Sequence, residues 1–134
     1  MKGIFEVTVK SGEDIRGAIE RFVLQKGWSS VIIPCAIGSV IDMVFTTPVE
    51  NTLPLKTART PVSGAAELLS FTGEIMKKER MDPALASIYK DEGPLFVHIH
   101  ASCATAGGHV SGGGLAGGKA FRAVRVFLVP LEDD

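Results

Sequence analysis

All three histidines of this 134-residue chain lie close together, at His98, His100 and His109. The first two flank Ile99 in an alternating run that starts at Leu95. In a strand, residues two apart project to the same face, about 6.6 Å apart along the chain. His98 and His100 can therefore converge on one ion, whereas adjacent histidines could not. His109 follows Gly107 and Gly108, which accept backbone angles that other residues resist. A turn there would bring a third imidazole back beside the strand. Three imidazoles with an open fourth position suit Zn2+ or another divalent transition metal. The expected metal ligands are thus His98, His100 and His109.

Other reactive residues near this stretch are few. Glu67 is an acid closely flanked by apolar strand residues, so it is a candidate to orient a ligand histidine or act as a base. A structural role, paired with Arg122 or Arg125 or facing solvent, fits it better. Ser102 and Ser111 are the nearby hydroxyls. Seven of the fifteen glycines crowd between Gly107 and Gly118, which invites a phosphate-binding reading. Gly112, Gly114 and Gly117 match G-x-G-x-x-G, but the sequence that follows is β-rich where a helix is required. Gly113 to Lys119 spells G-x-x-x-x-G-K, but Ala120 stands where a magnesium-binding hydroxyl is needed. The run therefore reads as a turn and tight backbone packing around the histidines.

The elements that must position these residues follow from the patterning. Phe5, Val7 and Val9 alternate as a strand. Ser11 is placed to cap a helix whose stripe is Ile15, Ala18, Ile19, Phe22 and Val23, closed by Gly27. Val31 to Ile33 and Val40 to Phe45 read as strands broken around Pro34 and Gly38. Thr46 to Pro61 reads as extended edge plus loop, and Glu67 to Ile75 as strand. Between Lys77 and Gly93, Asp82-Pro83 marks the start of a short second helix or loop. In Leu95 to Ala104 the odd positions Leu95, Val97, Ile99, Ala101 and Cys103 form an apolar face, with the histidines on the other. Phe121 to Leu131, apolar almost throughout, suits a strand covered on both sides.

Composition bounds the function. The length and the 46% apolar content describe one domain, residues 1 to 134, with a single core. Fourteen basic residues against fifteen acids give a net charge of −1, which counts against autonomous DNA binding by phosphate neutralisation. Cys35 and Cys103 sit in apolar runs without metal-type spacing and read as buried reduced thiols. With neither a signal peptide nor a membrane-length apolar run, a soluble cytoplasmic protein is expected.

The sequence resembles the PPC domain, the plant and prokaryote conserved family known for a PD1-like DNA-binding motif. The residues that carry the resemblance are Ala36-Ile37-Gly38-Ser39, Glu67-Leu68-Leu69-Ser70-Phe71-Thr72-Gly73, and above all His98-Ile99-His100 followed by Gly107-Gly108-His109. They lie in the family's order and span nearly the whole chain. The resemblance implies an α/β fold of α+β type, with a mainly antiparallel sheet, a helix after the first strand and a homotrimeric assembly. It also implies metal binding by His98, His100 and His109. Plant members add AT-hook segments, and no such segment occurs here. Some relatives carry an acid in the last strand around the position of Arg125, a departure that counts against any mechanism needing a carboxylate there.

Two functions are expected from this. One is a metal-binding homotrimeric module, regulatory or DNA-binding, with room for a small-molecule ligand at the metal. The other is a zinc-dependent hydrolase or lyase in which the ion activates a water.

Overall fold

The computed structural model describes residues 3 to 86 and 93 to 131. The chain runs β1 (Phe5–Lys10), α1 (Ile15–Lys26), β2 (Ser30–Pro48), β3 (Thr57–Pro61), β4 (Ala66–Lys77), a 3-10 turn (Lys78–Arg80), α2 (Pro83–Ala86), β5 (Leu95–Thr105) and β6 (His109–Pro130). All strand pairings among the described residues are antiparallel. The sheet order is β1-β6-β5-β4-β2-β3, and a further β6–β2 ladder closes β6, β5, β4 and β2 into a ring. Closure removes four of the six strands from the edge, leaving β1 and β3 as the flanks. The mainly antiparallel sheet with a helix after the first strand matches the sequence reading.

α1 begins where its first free amides find an acceptor. Asp14, not Ser11, is the cap: its Oδ2 accepts from Gly17 N at 2.7 Å. Ser11 instead donates from Oγ to the Phe121 carbonyl at 2.6 Å, tying the β1–α1 turn to β6. Gly27, at φ 71°, closes the helix by donating to the carbonyls of Val23 and Leu24. The buried stripe is Ile15, Ala18, Ile19 and Val23, with Phe22 packed at its border. The short helix expected after Asp82 is present as α2, where Ala84 N donates to Asp82 Oδ1 at 2.9 Å. The rest of that polar segment, 87 to 92, and the acidic end, 132 to 134, lie outside the described residues.

Every odd position of β5 from Leu95 to Cys103 is buried, so the alternation read from the sequence defines the inside of the ring. Phe96, on the histidine side, is buried as well. Four further expectations need correction. β2 is one strand rather than two, because Pro34 and Gly38 are absorbed as register shifts instead of breaks. The glycines from Gly112 to Gly118 are part of β6, not of a turn. At Gly113, with φ 149°, an added Cβ would stand 2.5 Å from the Thr46 carbonyl oxygen. Glycine there is what lets β6 close against β2.

The third correction concerns the last strand, which this chain covers on one face only. Val124, Val126 and Leu128 are buried while Phe121 and Arg125 are exposed. The fourth is Cys35, which is exposed on β2; only Cys103 is buried, and burial pushes its thiol pKa up. No helix among the described residues is long and apolar enough to cross a membrane.

Candidate metal centre

His98 and His100 project from the outer side of β5, opposite the buried odd positions. Their Nε2 atoms face each other at 3.1 Å. Two nitrogens bound to one tetrahedral zinc at about 2.0–2.1 Å stand about 3.3 Å apart. The pair is therefore close to the separation that two corners of such a site require.

Behind His98, the Glu74 carboxylate lies 3.4 Å from Nδ1. The β4–β5 register sets Glu74 directly opposite His98. A carboxylate behind a ligand histidine fixes the ring's orientation and leaves Nε2 with its lone pair outward. Both side chains are about two-fifths exposed, at 36% for His98 and 44% for Glu74, so solvent screens the charge and the contact acts mainly by orienting the ring.

His109 stands elsewhere in the fold. It opens β6 directly opposite Thr105, while His100 is opposite Gly114. Five ladder steps thus separate His109 from His100, about 17 Å. Gly107 and Gly108, at φ 84° and 77°, do make the expected turn. That turn extends the hairpin away from the pair rather than folding His109 over it. Among the described residues, no group of three or more His, Cys, Asp or Glu side chains is gathered as a metal cluster.

The other sequence candidates separate similarly. Glu67 is exposed, opposite Ser39 and Ala104, and Arg125 pairs with Glu6 at 2.9 Å instead. Ser102 shares a 2.7 Å hydrogen bond with Ser70. Ser111 is opposite Cys103, three steps along the ladder from the level of His100. The residue that sequence reasoning missed is Glu74. Its only local signal is an acid one position past Gly73; its relation to His98 depends on strand register.

Two concavities flank the histidines. A shallow depression on one side is lined by Ile32, Ile33, Pro34, Thr72, Gly73 and Glu74. On the other side a cavity of about 580 Å³ reaches Arg16 on α1, Thr46 and Thr47 on β2, and Thr57 and Arg59 on β3. Arg16 is anchored through Nη1 to the Leu115 carbonyl at 2.9 Å.

A closed antiparallel sheet with one capped helix and a surface histidine pair defines a small α+β domain. The chain belongs to the Plants and Prokaryotes Conserved (PCC) domain family, which it matches over residues 2–132. The ordered motifs had pointed to that family. No curated protein matches the sequence. Among solved structures, a plant- and prokaryote-conserved protein from Pyrococcus horikoshii is similar, at 25% identity and TM-score 0.78 over all of this chain and 82% of its own. A metal-containing protein from Archaeoglobus fulgidus is 26% identical, with TM-score 0.77 over all of this chain and 84% of its own. A protein from Bacteroides thetaiotaomicron whose name proposes DNA binding shares the fold at 17% identity and TM-score 0.71, over all of this chain and 82% of its own.

Proposed function

We propose that this chain is a homotrimeric, metal-binding module of the PCC family, cytoplasmic, with a regulatory role exerted on DNA directly or through a partner. The observation that carries the metal reading is the His98–His100 pair at 3.1 Å, backed by Glu74. A metal-containing relative from Archaeoglobus fulgidus supports it. Relatives whose names propose DNA binding support the regulatory role. With a net charge of −1, contact with DNA falls to a local patch of the assembly rather than to the chain as a whole.

In this reading His98 and His100 of one subunit hold the ion, and His109 comes from a neighbour. The hairpin tip supports that arrangement, because His109 and Val110 are both exposed there. The receiving surface beside the histidine pair offers Ile32, 40% exposed, and Pro34. A tip meeting a different surface on the next copy is a head-to-tail contact, which closes when the rotation is that of a ring. The ion would supply Lewis acidity, and zinc suits nitrogen donors of this kind.

Elemental analysis of chelator-free protein, together with its mass in solution, tests this. One divalent ion per chain and a trimeric mass are expected, with His109→Ala losing metal although the pair is intact. Mixed assemblies of His100→Ala and His109→Ala chains should regain part of the metal, since an intact pair then meets an intact tip. Full loading of His109→Ala would remove the third ligand from the proposal.

A second reading, a zinc-dependent hydrolase or lyase, draws on the cavity of about 580 Å³ beside the pair. Turnover of a panel of esters and hydratable carbonyls by metal-loaded protein, lost in His100→Ala, would favour it over the regulatory role.

A further inference from the structure

A row of directly paired residues crosses the sheet. Arg59 on β3 is opposite Thr46 on β2, Thr46 is opposite Gly114 on β6, and Gly114 is opposite His100 on β5. Directly paired residues project to the same face. Arg59, Thr46 and His100 therefore stand in line, with Arg59 and His100 three strand spacings apart, about 14 Å. The position between Thr46 and His100 has no side chain. A Cβ at Gly114 would come 2.7 Å from Thr46 Oγ1, so only glycine leaves that floor open.

This floor belongs to the cavity of about 580 Å³, a volume ordinary for a small-molecule site. Arg16 and Arg59 line it together with the hydroxyls of Thr46, Thr47 and Thr57, and no carboxylate among the described residues does. Arg59 makes no ion pair with any described residue. A chain with slightly more acids than bases has thus set two guanidiniums around one cavity. The planar guanidinium fork matches carboxylate and phosphate oxygens.

We propose that this cavity binds a small organic anion, its carboxylate or phosphate group held by Arg59, with the positive charge of Arg16 beside it, and its far end at His98 and His100. The inference deepens the metal reading and rests on it only for the end that meets the histidines. Recognition of the anionic group stands on the arginines and threonines alone.

Calorimetric titration of the full chain with succinate and with phenyl phosphate, in chelator-treated and in zinc-reloaded protein, tests it. At least one probe should bind, and which one does separates a carboxylate from a phosphate ligand. Arg59→Gln, an exposed change on an edge strand, should weaken binding about tenfold, the loss of one charge-assisted contact. Arg16→Lys should weaken it too, with the fold checked by circular dichroism. Anion binding that depends on Arg59 in a protein that takes up no zinc would uphold this proposal and sink the metal reading. Zinc uptake without binding of either probe would do the reverse. Arg59-dependent retention of duplex DNA that neither small anion competes away would overturn it in favour of nucleic acid.

Discussion

Nε2 of His98 and Nε2 of His100 lie 3.1 Å apart, and Glu74 sits 3.4 Å behind the Nδ1 of the first ring. A proton on His98 Nδ1, shared with Glu74, leaves the Nε2 lone pair facing His100, which is the tautomer a metal ligand needs. For both rings to face one ion, His100 must likewise carry its proton on Nδ1.

Acid should empty the site. A proton on either Nε2 removes a ligand lone pair, so metal occupancy falls as the solution is acidified. Zinc content after equilibrium dialysis across mildly acid to neutral buffers is the measurement. Occupancy that stays flat throughout would show that imidazoles are not the ligands.

Glu74→Gln should weaken metal affinity about 10- to 100-fold while leaving the fold intact, because an amide orients the ring without stabilising it electrostatically. Glu67→Gln, on an exposed side chain away from the pair, should change nothing. Competition against a chromogenic zinc chelator reads both. Equal affinities for the two variants would remove Glu74 from the site.

The two cysteines should react in two separate steps. Cys35 is exposed, whereas Cys103 is fully buried, with its thiol held protonated by desolvation. Native protein should give one fast thiol equivalent with a chromogenic disulfide reagent, and the second only on unfolding. Two fast equivalents would mean that β5 opens readily.

The Arg125 guanidinium holds the Glu6 carboxyl below the usual carboxylate range, chiefly through their 2.9 Å hydrogen bond. A carboxyl whose pKa is lowered by folding contributes stability above its unfolded value, and that contribution is lost as pH falls through the folded value. Both partners are exposed, so the effect is small. Denaturant midpoints for Glu6→Gln should fall slightly at neutral pH and converge on those of the parent chain in strong acid. A constant offset across that range would mean that Glu6 acts through something other than its charge.

Much of the fold was legible because it is local. The stripe from Ile15 to Val23, the stop at Gly27 and the odd-position face of β5 follow from periods and caps that a short window reveals. The order of the Gly-Ser, Glu-Leu-Leu and histidine motifs was enough to place the family. The cap was misassigned because both Ser11 and Asp14 can accept from a helix amide, and a choice between them depends on where β6 passes: it takes up Ser11. Pro34 looked like a break because a ladder partner able to absorb a register shift is not written beside it.

The sequence by itself determined that two imidazoles share one face of a strand, since side-chain parity in a strand is fixed by the backbone. Tertiary structure decided everything that depends on register. It set Glu74 rather than Glu67 behind His98, carried His109 five steps away from His100, and aligned Arg59, Thr46 and Gly114 with that histidine. Register is settled by how strands distant in sequence close the ring. A single-residue slip would send each of these side chains to the opposite face.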